Sequence, residues 1–597
     1  MIAILYLTFG LPGKLPSFSK YSVKMKAIWV AFLAGFAILG PVLSLQEDCL
    51  NAEDHFQITA DEFTLYNVTT TLPNLTCLNL TLPHFPNITY TSVLIQYHVW
   101  NSNVTGSLYA YPRPVYALMG DHLGLVWPTS HMGTMQSYVS LTNDNETATE
   151  ALILYSPLNS SVPVPGGCNM EANLEINPNL KIAYQVENVL INVTFSMANV
   201  GYVKDPPNCA GSNPKKSVLR YDFYILFIDW NKYSKNSLFS DLKKMMTVEG
   251  ILKHGRKIHT FGKNDKLELS LAMFNGRGVI LNAIARDSTT NKMAPYSPAV
   301  TYACGNNHGS LCSGRVQPLY GVVFAVAMII GGVICFSGHH FFHAEIVFFG
   351  YLPFCLFSIM ILSANTALTQ DVILLISLTM GIPGGCMWLA LWWRFGYVLP
   401  IMMWVSLNLG FLFSAIIFFT PFGNLIVWYQ SVAYGMAYMC GVMIIPVILI
   451  AFSKFLSMLA CAVWGSYLVV AGISYYGGGV LHYIVLNIVH RSYIPGYSEA
   501  HVIVPMNPLD YFLIGLWFVL IVAGVLVQRR LTRGRRDFPL CRYKENLLKR
   551  NHEKAMRNRN RYEDRERQGQ QRVLEDPAGN VNAGDVDFDD RNPLIVD

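Results

Sequence analysis

Eight asparagines stand in the pattern Asn-x-Ser/Thr: Asn67, Asn74, Asn79, Asn87, Asn103, Asn145, Asn159 and Asn192. The chemistry this pattern permits is transfer of an oligosaccharide to the side-chain amide, which happens only in the lumen of the secretory pathway. One such triplet arises easily by chance. Eight in the first part of the chain and none after Thr194 do not. Six cysteines share that half: Cys49, Cys77, Cys168, Cys209, Cys304 and Cys312. In an oxidising compartment an even number suggests up to three disulfides, in any of fifteen pairings. Cys304 with Cys312 would close a small loop next to the first span.

The far end of the chain offers recognition chemistry instead. Asp590, Leu594 and Ile595 form an acidic residue four places before an aliphatic pair. Clathrin adaptors read that pattern with a basic patch and an apolar pocket, on an unfolded tail. Cys541 is a candidate for acylation. The run His339-His340-Phe341-Phe342-His343-Ala344-Glu345 has metal-binding residue types, but histidines and aromatics at an interface anchor spans equally well. There is no nucleophile elbow, no HExxH and no acidic calcium loop, and His84, His122 and His131 read as surface or packing histidines. The sequence therefore assigns no catalytic residue, cofactor or metal centre, and the chain reads as non-enzymatic.

The elements that position these residues divide at about residue 316. Of 597 residues 52% are hydrophobic and 14% charged, with mean hydropathy +0.32. Soluble domains carry about 25% charged residues, so a membrane class is expected. The run AIWVAFLAGFAILGPVLSL (27–45), after Lys20, Lys24 and Lys26, reads as a signal peptide cleaved after Ser44, with Met25 as a plausible start. An uncleaved signal anchor is the competing arrangement; either delivers the following chain to the lumen.

Residues 45–163 and 164–316 read as two β-rich, sandwich-like units. Segments such as SVLIQYHVW (92–100), LRYDFYILFIDW (219–230) and GVILNAIA (278–285) are β-branched and aromatic. Only DLKKMMTVEGILKHG looks helical. Residues 317–527 hold seven apolar segments, about 318–337, 345–364, 372–393, 396–419, 430–452, 456–474 and 509–527, each long enough to cross about 30 Å of hydrocarbon. Glu345, Asp371, Arg394, Lys454 and Asp510 fall at segment ends, and Asn408 is the clearest polar residue inside one. Met380-Gly381-Ile382-Pro383-Gly384-Gly385 interrupts the third; such breaks line substrate sites or let helices pack closely. In the loop 475–508, Leu481, Ile484, Val485 and Ile488 recur at helical spacing and suggest an interfacial amphipathic helix. Asn507-Pro508-Leu509-Asp510-Tyr511 fits NPxxY, but at the opposite end of the last span from where rhodopsin-like receptors carry it.

The tail, 528–597, opens with five arginines in QRRLTRGRR. It holds sixteen Lys/Arg against six Asp/Glu up to residue 572, then one Arg against seven acidic residues. It reads as a cytosolic tail, disordered or a solvated helix over 542–572, that contacts anionic lipid rather than nucleic acid. The fold class is thus a glycosylated β-rich ectodomain, an all-α seven-helix transmembrane bundle and a disordered cytosolic tail. The sequons and the positive-inside rule agree on its orientation.

Val164-Pro165-Gly166-Gly167-Cys168-Asn169, Asp205-Pro206-Pro207-Asn208-Cys209, Thr301-Tyr302-Ala303-Cys304, Trp392-Trp393-Arg394-Phe395-Gly396 and Phe418-Phe419-Thr420-Pro421-Phe422-Gly423-Asn424-Leu425 resemble the transmembrane 7 superfamily member 3 family, in order over roughly 160–540. Residues 1–160 resemble it weakly, and Cys49 and Cys77 stand as additions. The resemblance implies a glycosylated seven-span protein that promotes cell survival and limits protein-folding stress; the tail signal suggests the plasma membrane or late endosomes and lysosomes. It implies no catalytic residue. Binding of a luminal or extracellular protein is the expected mode; a transporter or channel using the third span and Asn408 is the alternative.

Overall fold

In the computed structural model the described residues are 90–301 and 318–575, with gaps of which 201–218 is the longest, and three strands between residues 55 and 81. The expected signal peptide and residues 302–317 and 576–597 lie outside them. The first β unit is two sheets. One runs His55–Gln57, Cys77–Thr81, Ser137–Thr142, Val104–Ala110, Arg113–Gly120. The other places Tyr66–Leu72 beside β3 (Thr149–Asn159), then β1 (Tyr90–Val99) and β2 (His122–Pro128).

This second sheet is buried on both faces. Val93, Ile95, Tyr97 and Val99 of β1 face Val104 of the opposing sheet. Leu94 meets Val164, Ile176 and Ala294 of the second unit instead, and Leu152 and Leu154 of β3 pack on Leu238, Phe239 and Leu242 of α1 (Lys235–Met245). Strands covered on both sides have no polar face, which is why they read as continuous apolar runs. The two units are therefore one packed body rather than beads on a linker. The first unit gives the outer face of β1 and β3 to the second.

The second unit holds β4 (Lys181–Gln185), β5 (Leu190–Thr194) and β8 (Glu268–Ala272) in one antiparallel sheet. A second sheet holds β7 (Arg256–Phe261), β6 (Leu219–Phe227) and β9 (Val279–Asp287). Ile191, Val193, Leu269 and Leu271 from one meet Phe223, Leu281 and Ala283 from the other. Phe195 sits among Tyr221, Phe261 and Tyr296 in edge-on contacts of 5.0–5.8 Å, a geometry aromatic quadrupoles favour. The single expected helix is two. Thr247 takes extended backbone and its hydroxyl accepts from Gly250 N at 3.1 Å, starting α2 (Val248–His254) afresh.

Six stretches of the second half are long and apolar enough to span a membrane. Five are single helices: α3 (Pro318–Ser337), α4 (Phe342–Asn365), α5 (Gln370–Phe395), α6 (Val398–Phe419) and the last, Pro508–Leu531. The sixth, Ser431–Gly477, is 47 residues and contains α7 (Ser431–Leu449) and α8 (Ser453–Gly477) on either side of a 3-10 turn. The α8 helix is the hub, packed on α3, on α6 and on the last span. A Cβ on Gly465 would lie 2.5 Å from Cys335 N, so α8 and α3 touch backbone to backbone there.

The expected interruption of the third span does not occur. The α5 helix is continuous from Gln370 to Phe395 with Pro383 inside it. Gly381 and Gly384 face the rings of Tyr351 and Phe354, and Gly385 faces the Val347 backbone of α4. Those glycines serve close packing. Of the two expectations for 542–572, disorder or a solvated helix, the structure shows the helix. After α9 (Tyr483–Tyr493) and α10 (Pro508–Leu531), α11 runs from Arg542 to Glu575. Its side chains from Glu545 to Gln568 are exposed, and Glu545–Lys549 (2.9 Å) and Arg559–Glu563 (3.1 Å) are spaced to support it.

Candidate functional site

The loop 478–507 is where the two halves of the molecule are joined. It begins with α9, whose Ile484 and Ile488 are buried together with Leu481 against the helical core. The expected amphipathic helix is present, but its apolar face covers the ends of α4 and α6. Beyond it, Ile494, Tyr497 and Ala500 pack on Leu190 and Ala272 of the second β unit. His501–Val502 then forms β10, which extends the β4–β5–β8 sheet by pairing parallel to β8, Leu271 with His501 and Ala272 with Val502. A loop between two long apolar helices completes a sheet of the second β unit.

Three sets of polar contacts hold this joint. Asn424, in the loop before α7, donates to Val502 O at 2.7 Å and accepts from Val502 N at 2.9 Å. Tyr429 Oη lies 3.0 Å from His501 Nε2. Arg277, in the turn between β8 and β9, is 3% exposed; it donates to Gly478 O at 2.7 Å and to Asn507 Oδ1 at 3.1 Å. Asn507 caps α10, and Asp510 accepts from both Asn507 N (2.9 Å) and Val480 N (2.8 Å). The NPxxY-like stretch is thus a helix cap that receives an arginine from the β half. Arg491 adds a donor to Trp428 O and lies over the Tyr434 ring at 3.7 Å.

A second polar cluster closes the opposite end of the bundle. His339, Glu345, Ser457 and Gln528 are all at most 5% exposed. Ser457 Oγ donates to Glu345 Oε1 at 2.6 Å and lies 2.7 Å from His339 Nδ1; Glu345 Oε2 is 3.6 Å from the same nitrogen. Gln528 accepts from His339 N at 3.1 Å and donates to Cys335 O at 2.7 Å. Phe538, beyond the last span, meets the His339 ring edge-on at 5.8 Å. These are the residue types of a charge-relay triad, but the serine hydroxyl donates its hydrogen bond to the carboxylate and all three groups are buried. The arrangement is a latch of four elements. His340 is half-buried and His343 exposed, and among the described residues no three metal-ligating side chains converge.

The structure places Asn67 and Asn79 on strands of the first unit, Asn159 at the end of β3 and Asn192 on β5. Asn74, Asn87, Asn103 and Asn145 lie outside the described residues, as do Cys49, Cys209, Cys304, Cys312, Cys541, Asp590, Leu594 and Ile595. Cys77 is on a strand, and Cys168 is disulfide-bonded. Five cysteines of the helical half are free. Asn408 donates to Trp404 O at 2.8 Å, and its own carbonyl accepts from Trp464 Nε1 at 3.0 Å. It is an interhelical tie.

Buried neutral histidines give the β half and the loop 478–507 a pH dependence. His98 is fully buried between the two units with neither ring nitrogen hydrogen-bonded, and burial, then His122 beside it, holds its pKa well below 6.5. Burial pushes His482 down to about 3 and His490 to about 4; burial and then His259 push His501 to about 4. Unfolded histidines take up protons as pH falls through about 6.5 while these do not. Their stabilisation is complete above that value and is lost as pH falls toward about 4. For a fully buried one such as His98 the slope is about 1.4 kcal/mol per pH unit. The melting temperature is expected to drop between pH 7.5 and pH 5, less steeply in His98→Leu. Parallel curves for the two proteins would refute the assignment.

Two family models match the chain: a TM7SF3-like, second immunoglobulin-like domain over 163–307, and a TM7S3/TM198-like domain over 324–529. Transmembrane 7 superfamily member 3 of Homo sapiens is 36% identical over 403 residues, covering 66% of this chain and 70% of that protein. The Mus musculus protein of the same name is 32% identical over 518 residues, covering 85% and 89%. Among solved structures, a β-1,2-glucanase from Parabacteroides distasonis (10% identity, 42% of this chain and 31% of that one, TM-score 0.13) carries no weight. Nor does a β-glucuronidase from Bacteroides uniformis (10%, 38% and 25%, TM-score 0.19).

Proposed function

This chain belongs to the transmembrane 7 superfamily member 3 family, and from that premise we propose a non-enzymatic, multi-pass membrane glycoprotein that acts through its β half. Its role is pro-survival and stress-attenuating, as the family resemblance implies. The β units bind a luminal or extracellular protein, and the bundle responds. The observation that carries this reading is the joint at 478–507: Arg277, β10 and Asn424 tie the second β unit to the ends of several spans. A partner that shifts the β unit acts on those span ends directly, and with differential affinity for two arrangements it selects between them.

Seven crossings suit the geometry. Residues 424 and 429, before the 47-residue stretch, bond Val502 and His501, after it. A chain that leaves one side and returns to it crosses an even number of times, and about 20 residues suffice for each crossing. The sequons put the joined end outside the cytosol; the five arginines of 528–536 put the latch end inside. On that side the basic stretch contacts anionic lipid, at about 1 kcal/mol per charge near the surface. Asp590, Leu594 and Ile595 present an adaptor signal that moves the protein between the plasma membrane and late endosomes. A solute transporter built on a broken third span has less support, because α5 is unbroken and Asn408 is bonded within the bundle.

Cells lacking the protein and exposed to thapsigargin test the reading. Wild type is expected to restore viability, and a chain lacking 46–316 is not, at matched membrane abundance. Rescue by the truncated chain would remove the β half from the mechanism. Failure of wild type to rescue would remove the stress role.

A further inference from the structure

The outward face of the β4–β5–β8–β10 sheet is only half covered by the loop. Leu190 and Ala272 lie under Ile494, Tyr497 and Ala500, while Asn192 and Ser270 of the same sheet are half-exposed and paired in register. Where the loop overhangs the sheet there is a cavity of about 560 Å³, within the usual range of roughly 300–1,000 Å³ for small-molecule sites. Asn192 lines it from β5. Tyr429, Glu499 and His501 line it from the membrane half, and Gln185 and Glu268 from the β half.

Ser270 Oγ donates to Asn192 Oδ1 at 2.8 Å. That bond occupies the amide oxygen and fixes the side chain, and it leaves Nδ2, the atom a sugar would join, to the cavity. The lining suits a saccharide: amide and carboxylate oxygens accept from hydroxyls, and aromatic rings offer apolar faces edged with polar groups. Gly496, at φ +80°, puts no side chain into the mouth.

We propose that the N-glycan on Asn192 is structural: its first sugars fill this cavity and brace the second β unit against the loop 478–507. The proposal rests on the glycoprotein reading above. In the transfer, Nδ2 forms the bond to the anomeric carbon of a lipid-pyrophosphate-linked oligosaccharide. The bond from that carbon to the pyrophosphate breaks, and the amide proton leaves with the lipid pyrophosphate. Nothing is oxidised or reduced. The enzyme acts on the unfolded chain, so the glycan is in place before the joint closes over it.

The test is a time course of native peptide-N-glycosidase digestion on the detergent-purified full chain, with released sites identified by mass spectrometry in heavy-oxygen water. The Asn192 glycan is expected to come off at least about tenfold more slowly than the Asn159 glycan, since release waits on local opening of the joint. The two rates are expected to converge after denaturation. Asn192→Gln, and Thr194→Ala, which removes the sequon but keeps the Asn192–Ser270 bond, are both expected to raise hydrogen exchange in 478–507. Asn159→Gln is not. Equal release rates, or an unmodified Asn192 beside a glycosylated Asn159, would overturn the proposal. Absence of glycan at every sequon would overturn the glycoprotein reading instead.

Discussion

Arg277→Met is expected to release the loop 478–507 from the β half while leaving both halves folded. Arg277 is the buried cation of the joint, and its two acceptors, Gly478 O and Asn507 Oδ1, mark the end of one span and the start of the next. A hydrogen bond to a charged group contributes about 1.5–3 kcal/mol, so losing two costs on the order of 3 kcal/mol. Methionine keeps the apolar stem and removes only the fork. Hydrogen exchange should rise together in 478–507 and in β8, which pairs with β10, and stay unchanged in β1 and β3. Arg277→Lys should fall between, because an ammonium is a compact point charge without the rigid fork that reaches both acceptors. If protection of the loop is the same in wild type and Arg277→Met, the joint is held by other contacts and the coupling argument fails.

Glu345→Ala is the second large effect. It removes the acceptor of Ser457 and a neighbour of His339 in a site where both are buried. Each polar group left without a partner costs about 1–3 kcal/mol. Thermal unfolding in detergent, followed by tryptophan fluorescence, should show a clear loss for Glu345→Ala. Glu345→Gln, which keeps an oxygen for Ser457, should lose less. A double-mutant cycle with Ser457→Ala should give a coupling of about 0.5–3 kcal/mol. Additive losses would mean the two side chains are neighbours without being partners.

Neither site was legible as a site. Glu345 and His339 stood out in the sequence as polar residues near a span end, but their partner Ser457 is 112 residues away and looks like any small residue in an apolar helix. A hint was there: Ser457 and Gln528, like His339, fall near the same end of their segments, at matched depth. Arg277 was hidden differently. It sits in Asn275-Gly276-Arg277-Gly278, which reads as a solvent-facing turn, because periodicity reports which face of an element is apolar and says nothing of what a turn docks into. The two-residue β10 is too short for any alternation to register. What was legible followed from local physics: apolar segments of bilayer length, and β-branched, aromatic runs that read as strands in β1, β6 and β9. The glycines of α5 were ambiguous for a sound reason. A glycine cluster permits both a break and a close contact, and only the partner helix α4, with Tyr351 and Phe354 at the matching height, decides between them.

The parallel pairing of β8 with β10 also sets a clock. Arg277 and Asn507 are 230 residues apart in the chain, and the strand that finishes the sheet is made almost as late. At about 5–20 residues per second of synthesis, the open edge of β8 waits roughly 10–50 s for its last neighbour. During that interval an unpaired strand edge offers itself to chaperones and to stray chains alike. A chain that has not yet reached residue 502 therefore has a β half whose β8 edge is still open.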